Sequence, residues 1–162
     1  MRYHVKERAW TWTEEFEIYD DGQNPIYDVR GRLFSGDHLL LTASATGEEL
    51  VQFIPDFHFF GPASYQIYWK EQLWATVEEE FSWFSEAFSV ETADGMIYQI
   101  EGEFWSSDFS ITNGSGKILA EVSKELSWFE DCYAVYVAED AHAAFIVALV
   151  LVVDTVRERK KK

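Results

Sequence analysis

From Ala143 to Val153 the chain runs Ala-Ala-Phe-Ile-Val-Ala-Leu-Val-Leu-Val-Val without one polar side chain. A segment apolar on every face has to be removed from water all round, so the rest of the chain has to supply its walls. A bilayer-spanning helix needs about 20 apolar residues. This run is shorter, with His142 at its start and Asp154 closing it. Its length, the acidic pair Glu139-Asp140 before it and Arg157, Arg159 and Lys160 after it suit a buried helix with a complemented dipole. The β-branched content leaves a strand as the alternative.

The residues before this run read as strands. Glu14 to Asp20 alternate apolar and polar, and Tyr27, Val29, Gly31 and Leu33 alternate with Asp28, Arg30 and Arg32. Turn chemistry punctuates them at Asp21-Gly22, Gly36-Asp37, Thr46-Gly47, Gly61-Pro62, Asp94-Gly95 and Asn113-Gly114-Ser115-Gly116. The pattern predicts strands over 3–8, 14–20, 26–34, 38–45, 49–54, 64–69, 73–80, 87–92, 96–104, 108–112, 117–124 and 133–138, then one helix. An internal repeat supports this: Ile26-Tyr27-Asp28-Val29-Arg30-Gly31 matches Ile97-Tyr98-Gln99-Ile100-Glu101-Gly102, and Phe16-Glu17-Ile18 precedes one copy as Phe88-Ser89-Val90 precedes the other. A second correspondence pairs Ala75-Thr76-Val77 with Ala120-Glu121-Val122, and Glu80-Phe81-Ser82-Trp83-Phe84 with Glu125-Leu126-Ser127-Trp128-Phe129. Two related antiparallel halves follow. The expected fold class is mainly β: a closed twelve-stranded antiparallel barrel with the hydrophobic helix buried through its centre, which hides the helix and removes the sheet edges. One domain over 1–156 and a basic tail over 157–162 complete the organisation.

Charge is uneven. Residues 1–156 hold eight basic and 28 acidic residues, whereas five of the last six residues are basic. So acidic a body disfavours nucleic acid and opposes anionic membranes, which both need clustered Lys and Arg. It also matches what a protein of a high-salt cytoplasm shows, since dense carboxylates keep a chain soluble under strong screening. The single cysteine, Cys132, excludes an intrachain disulfide and a multi-cysteine metal site. Met1-Arg2-Tyr3-His4-Val5-Lys6 lacks an apolar stretch, so the expected compartment is the cytoplasm. A chain not integral to a membrane, monomeric by default, is expected.

The chain resembles the LURP-one-related family of the tubby C-terminal-like superfamily. The resemblance rests on an ordered set: Val5-Lys6-Glu7 with Trp12, Phe16 to Asp20, Ile26 to Gly31, Tyr65-Gln66-Ile67-Tyr68, Ala75-Thr76-Val77, Gly102-Glu103-Phe104-Trp105, and Val122 to Glu125 before the apolar helix. It implies the same barrel threaded by a helix, and a non-catalytic module for ligands or membrane surfaces; tubby-like domains bind phosphoinositide headgroups through basic residues. Between Val77 and Phe81, where a basic segment would stand, this chain has Glu78-Glu79-Glu80. The alternative is a protein-interaction or stress-associated structural barrel without a lipid ligand.

No catalytic, metal or cofactor-binding residues are expected. His4, His38, His58 and His142 are scattered, and no Gly-x-Ser-x-Gly elbow occurs. Asp131 beside Cys132 raises rather than lowers a thiol pKa, so Cys132 is expected to be structural. Asp20-Asp21-Gly22 lacks the other ligands of a calcium loop, and Asn113-Gly114-Ser115 is expected to be a turn. His142 is expected to start the helix at the barrel mouth, its ring satisfied by a backbone carbonyl; a ligand or pH-sensing role is the alternative. The one candidate binding feature is an anion-binding face of Lys6, Arg8, Arg30 and Arg32. Lys6 and Arg8 share a face, as do Arg30 and Arg32, and the repeat puts Glu101 and Glu103 where the latter stand. Its competitor is cross-strand pairing of Arg30 and Arg32 with Glu15 and Glu17.

Overall fold

Twelve strands form in the order the alternation dictates: β1 (Arg2–Glu7), β2 (Glu15–Tyr19), β3 (Pro25–Gly31), β4 (Leu39–Ala43), β5 (Glu49–Asp56), β6 (Ser64–Trp69), β7 (Gln72–Glu80), β8 (Ala87–Thr92), β9 (Ile97–Glu103), β10 (Asp108–Asn113), β11 (Ile118–Ser123) and β12 (Cys132–Val137). Helix α1 (Ala143–Lys160) follows. The computed structural model describes residues 1–7, 15–31, 38–56, 64–80, 87–103, 108–124 and 132–160, without the side chains of 56, 103 and 157–160. Sequence expectations for 8–14, 32–37, 57–63, 81–86, 104–107, 125–131 and 161–162 lie outside the described residues.

Each strand pairs antiparallel with its neighbours in sequence, and β1 pairs with β12, so the meander closes into a barrel without an edge. Period two turns one residue set inward. Val5 faces Ile18, Phe16 faces Val29, Leu39 faces Phe53, Tyr65 faces Val77, and Ile111 faces both Ile100 and Ala120. All of these are buried, and they pack in one core with the helix. Ala144 to Val153 are at most 5% exposed, which answers the requirement that the run be walled on every side. The helix has 18 residues, or about 27 Å at 1.5 Å per residue. Its first i→i−4 bond runs from the Ile146 N–H to the His142 carbonyl at 3.0 Å, and the Thr155 hydroxyl donates to the Leu151 carbonyl at 2.8 Å.

The repeat maps β3 onto β9 and β2 onto β8, six strands apart in the ring of twelve, so these copies lie on opposite walls. The second correspondence maps β7 onto β11, only four strands apart, and belongs to a different relation than the two halves. Gly102, in the β9 copy, is required by contact: at φ +150° an added Cβ would stand 2.4 Å from the Asp108 carbonyl oxygen and 2.5 Å from Phe109 Cα.

Connections alternate between the two ends of the barrel. At one end, called here the turn end, lie 20–24, 44–48, 70–71, 93–96, 114–117 and the 138–142 passage into α1. The helix enters there and runs toward the far end. Asp20 accepts from the Asn24 N–H at 2.9 Å, and Asn113 Oδ1 accepts from Ser115 N and Lys117 N at 3.0 and 2.9 Å, the side-chain-closed turns their sequences announce. The 70–71 turn is different. Trp69 pairs with Gln72, so Lys70 and Glu71 form a two-residue hairpin, both left-handed at φ +45° and +71°, in positions that favour Asn-Gly.

Candidate functional site

The turn end carries a cleft next to the helix start. It is about 330 Å³, walled by Trp74, Tyr98 and Phe145 and rimmed by Asp94, Asp140 and His142. The strained hairpin at 70–71 brings Trp69 and Trp74 together at 5.1 Å, and both present themselves to the His142 ring, at 5.0 and 4.9 Å and nearly perpendicular. Trp74 then meets Phe145 at 4.3 Å, and Phe145 meets Tyr98 at 5.9 Å. Above Trp69 stands Lys70 Nζ, 5.6 Å from the ring centroid, and the same ammonium pairs with Glu48 at 2.9 Å.

His142 therefore starts the helix at the mouth, as expected, but its exposed ring packs edge-on against two indoles, where sequence reasoning had given it a backbone carbonyl. The carboxylates of the rim are held ionised by their donors. The Thr92 hydroxyl bonds to Asp94 and lowers its pKa, and Lys117 does the same for Asp140. Next around the rim, Asp21 receives Arg2 Nε at 2.8 Å and shares a 2.7 Å hydrogen bond with His4 Nε2; its pKa is lowered first by Arg2 and then by His4. Asp20 is lowered chiefly by the Asn24 backbone N–H. Asp20-Asp21-Gly22 is thus a hairpin turn, and no group of three or more His, Cys, Asp or Glu suited to a metal occurs among the described residues.

Of the expected anion-binding residues, the structure describes Lys6 and Arg30, on different strands. Lys6 is exposed on β1 opposite Glu17, and Arg30 is exposed on β3 opposite Glu15, with β2 and its two glutamates between them. Arg8 and Arg32 lie outside the described residues. The register gives Arg30 the cross-strand glutamate anticipated for it, whereas Glu17 stands between Lys6 and Asp28. Cys132 opens β12, buried, on the outward face opposite Lys6. His4 and Ala134 share that face, and each is 0% exposed.

Sequence reasoning missed the cleft. The Trp69–Trp74 hairpin, Tyr98 and His142 are far apart along the chain, and only the closed meander brings them to one rim. The signal available was that β7 and β9 each carry near their start an apolar residue followed by an aromatic one, Leu73-Trp74 and Ile97-Tyr98.

A closed twelve-stranded meander with an apolar helix as its axis defines a class of barrels. The chain belongs to the LURP-one-related family, whose model matches residues 1–154. It is 27% identical over 153 residues to the uncharacterized protein YxjI of Bacillus subtilis (strain 168), covering 94% of this chain and 91% of that one. It also resembles the X-ray structure of the Arabidopsis thaliana protein AT5G01750, with a TM-score of 0.71 at 18% identity over 96% of this chain and 91% of that chain, a likeness of fold.

Proposed function

We propose that this barrel is a non-catalytic, membrane-peripheral binding module that meets lipid with its far end. What carries this reading is the unequal composition of the two ends. The connections 8–14, 32–38, 57–63, 81–86, 104–107 and 124–131 join strands at the far end, and in sequence they contain Trp10, Trp12, Trp83, Trp105 and Trp128 together with eight of the 13 phenylalanines. The connections of the turn end contain no aromatic residue. Tryptophan favours the headgroup level of a bilayer, where its ring is half apolar and half wetted. Helix α1 runs toward the same end, and its last turn there contains Arg157, Arg159 and Lys160 in sequence. A basic residue near an anionic surface contributes about 1 kcal/mol. Glu78, Glu79 and Glu80 close β7 at this end, which argues against a dedicated phosphoinositide headgroup site and for docking led by aromatic side chains.

No helix is long and apolar enough to cross a membrane among the described residues. The test is flotation of the full chain with vesicles of phosphatidylcholine and phosphatidylglycerol. Co-flotation is expected, weakened by deletion of residues 157–162 and lost in the double substitution Trp83→Ser with Phe84→Ser. A protein that stays at the bottom of the gradient with these vesicles refutes the proposal. So does one that floats equally well after both changes.

A further inference from the structure

The turn end presents a second chemistry. Near the starts of β7, β9 and β11 stand Leu73, Ile97 and Ile118, which point outward and are 43%, 53% and 50% exposed, while the residue after each turns in. Met96 and Tyr136 extend the series, at 51% and 54%. These five side chains follow the rim from β7 to β12, one half of the circumference. The internal repeat supplies a comparison: Ile26 matches Ile97, yet Ile26 is half-buried against the core and Ile97 is open. Five large apolar side chains on one half of the rim, alternating with polar strands, are more than scattered single exposures require.

Carboxylates interleave with this arc. Glu91 stands across from Ile97, Glu121 across from Tyr136, and Asp94 shares a turn with Met96. Of the basic residues nearby, Lys117 is joined to Asp140 and Arg2 to Asp21. The cleft opens within the arc, and Met96 and Leu119 belong to its lining together with Asp94 and Asp140. Its 330 Å³ lies at the small end of the range for binding pockets, about 300–1,000 Å³. Helix starts favour anions through roughly half a positive charge, but the full carboxylate of Asp94 outweighs that, Asp140 being balanced by Lys117. A second copy of this chain would bring the same carboxylates against these, and an anionic lipid surface would be repelled.

We propose that the turn end docks a cationic amphipathic polypeptide segment, its apolar residues on the Leu73–Ile97–Ile118–Tyr136 arc and one lysine or arginine seated in the cleft between Asp94 and Asp140. Aromatic walls of Trp74, Tyr98 and Phe145 suit the aliphatic stem of such a side chain. This site is independent of lipid contact at the far end.

The experiment titrates the full chain, without lipid, with an alternating Lys–Leu peptide and with a Glu–Leu peptide of equal length, by calorimetry. Saturable binding of the Lys–Leu peptide alone is expected. Asp94→Asn with Asp140→Asn, and separately Ile97→Ser with Ile118→Ser, should each weaken it by about tenfold, the equivalent of one lost charge-assisted contact. All four positions lie at the surface, and an unchanged urea midpoint shows that the variants are folded. The proposal is overturned if both peptides bind alike, if neither binds, or if the folded variants keep parental affinity. Binding of hexylammonium as tightly as the peptide also overturns it, since the cleft would then be a small-molecule site only.

Discussion

Replacing Leu149 with alanine tests whether the helix is the packed axis of the barrel. Leu149 is 0% exposed and lies midway along α1, walled by the inward residues of the strands. The substitution removes three carbons, a transfer loss of about 2.4 kcal/mol at ~0.8 kcal/mol per methylene. A closed wall of twelve strands cannot collapse onto the gap as a mobile segment would, so most of the removed volume stays empty. At ~24 cal/mol per Å³, a residual cavity of about 50 Å³ adds roughly 1.2 kcal/mol. The better helix propensity of alanine over leucine is too small to offset this. The expected loss is about 3.5 kcal/mol, which at a slope of roughly 2 kcal/mol/M lowers the urea midpoint by ~1.7 M. Leu73→Ala is the control, because Leu73 is 43% exposed on the outside wall and its loss should cost under ~1 kcal/mol. If urea unfolding followed by near-UV circular dichroism shows the Leu149 variant no less stable than the Leu73 variant, the helix is not a tightly packed plug.

Three further outcomes follow from the geometry. Gly102→Ala sets a Cβ 2.4 Å from the Asp108 carbonyl oxygen, against backbone that cannot swing away, and should cost at least ~2 kcal/mol in the same urea assay; a parental midpoint would contradict the close approach of β9 and β10. Glu71→Gly relieves a left-handed non-glycine residue and should raise the thermal midpoint by about 2 °C, corresponding to roughly 0.5–1 kcal/mol in a chain of this size; a fall would show that Glu71 is held there by contacts worth more than its strain. The pKa values of Asp20, Asp21, Asp94 and Asp140 are all lowered from 3.8, so the folded state binds fewer protons than the unfolded one. Their stabilisation is present above about pH 4 and is lost as pH falls through the lowered values, and Asp21→Asn should flatten the acid limb of a stability–pH curve; an unchanged limb removes the Arg2–Asp21–His4 linkage from the account.

Much of the wall was legible because its rules are local. Alternation located the strands, and Asp-Gly and Asn-Gly located their turns, where Asp20, Thr92 and Asn113 side chains accept from backbone N–H groups across the turn. The 70–71 hairpin carried no such mark; Lys70-Glu71 is a poor turn sequence held in place by the strands on either side. Alternation also misleads where an outward face is covered. His4, Cys132 and Ala134 have the parity of solvent-facing residues and are buried nonetheless. The partners of His142 were unreadable for another reason: Trp69 and Trp74 reach it only after six more connections have been made around the ring. Of the four expected anion-binding residues, Lys6 and Arg30 stand on β1 and β3 with β2 and its Glu17 and Glu15 between them, an order that period-two spacing within each strand does not reveal.

The seam between β1 and β12 sets the order of events during folding. Met1 and Val137 exchange backbone hydrogen bonds at 2.8 Å across 136 residues of chain, and the plug is made after the strand that completes this seam. A nascent chain thus holds eleven strands with neither a closed ring nor anything to wrap around, and its greasy inner faces have to wait for their filling. Sequence-distant closure of this kind is intrinsically slow. The last fifth of the polypeptide therefore decides whether the preceding four-fifths become a cylinder or a sticky open sheet.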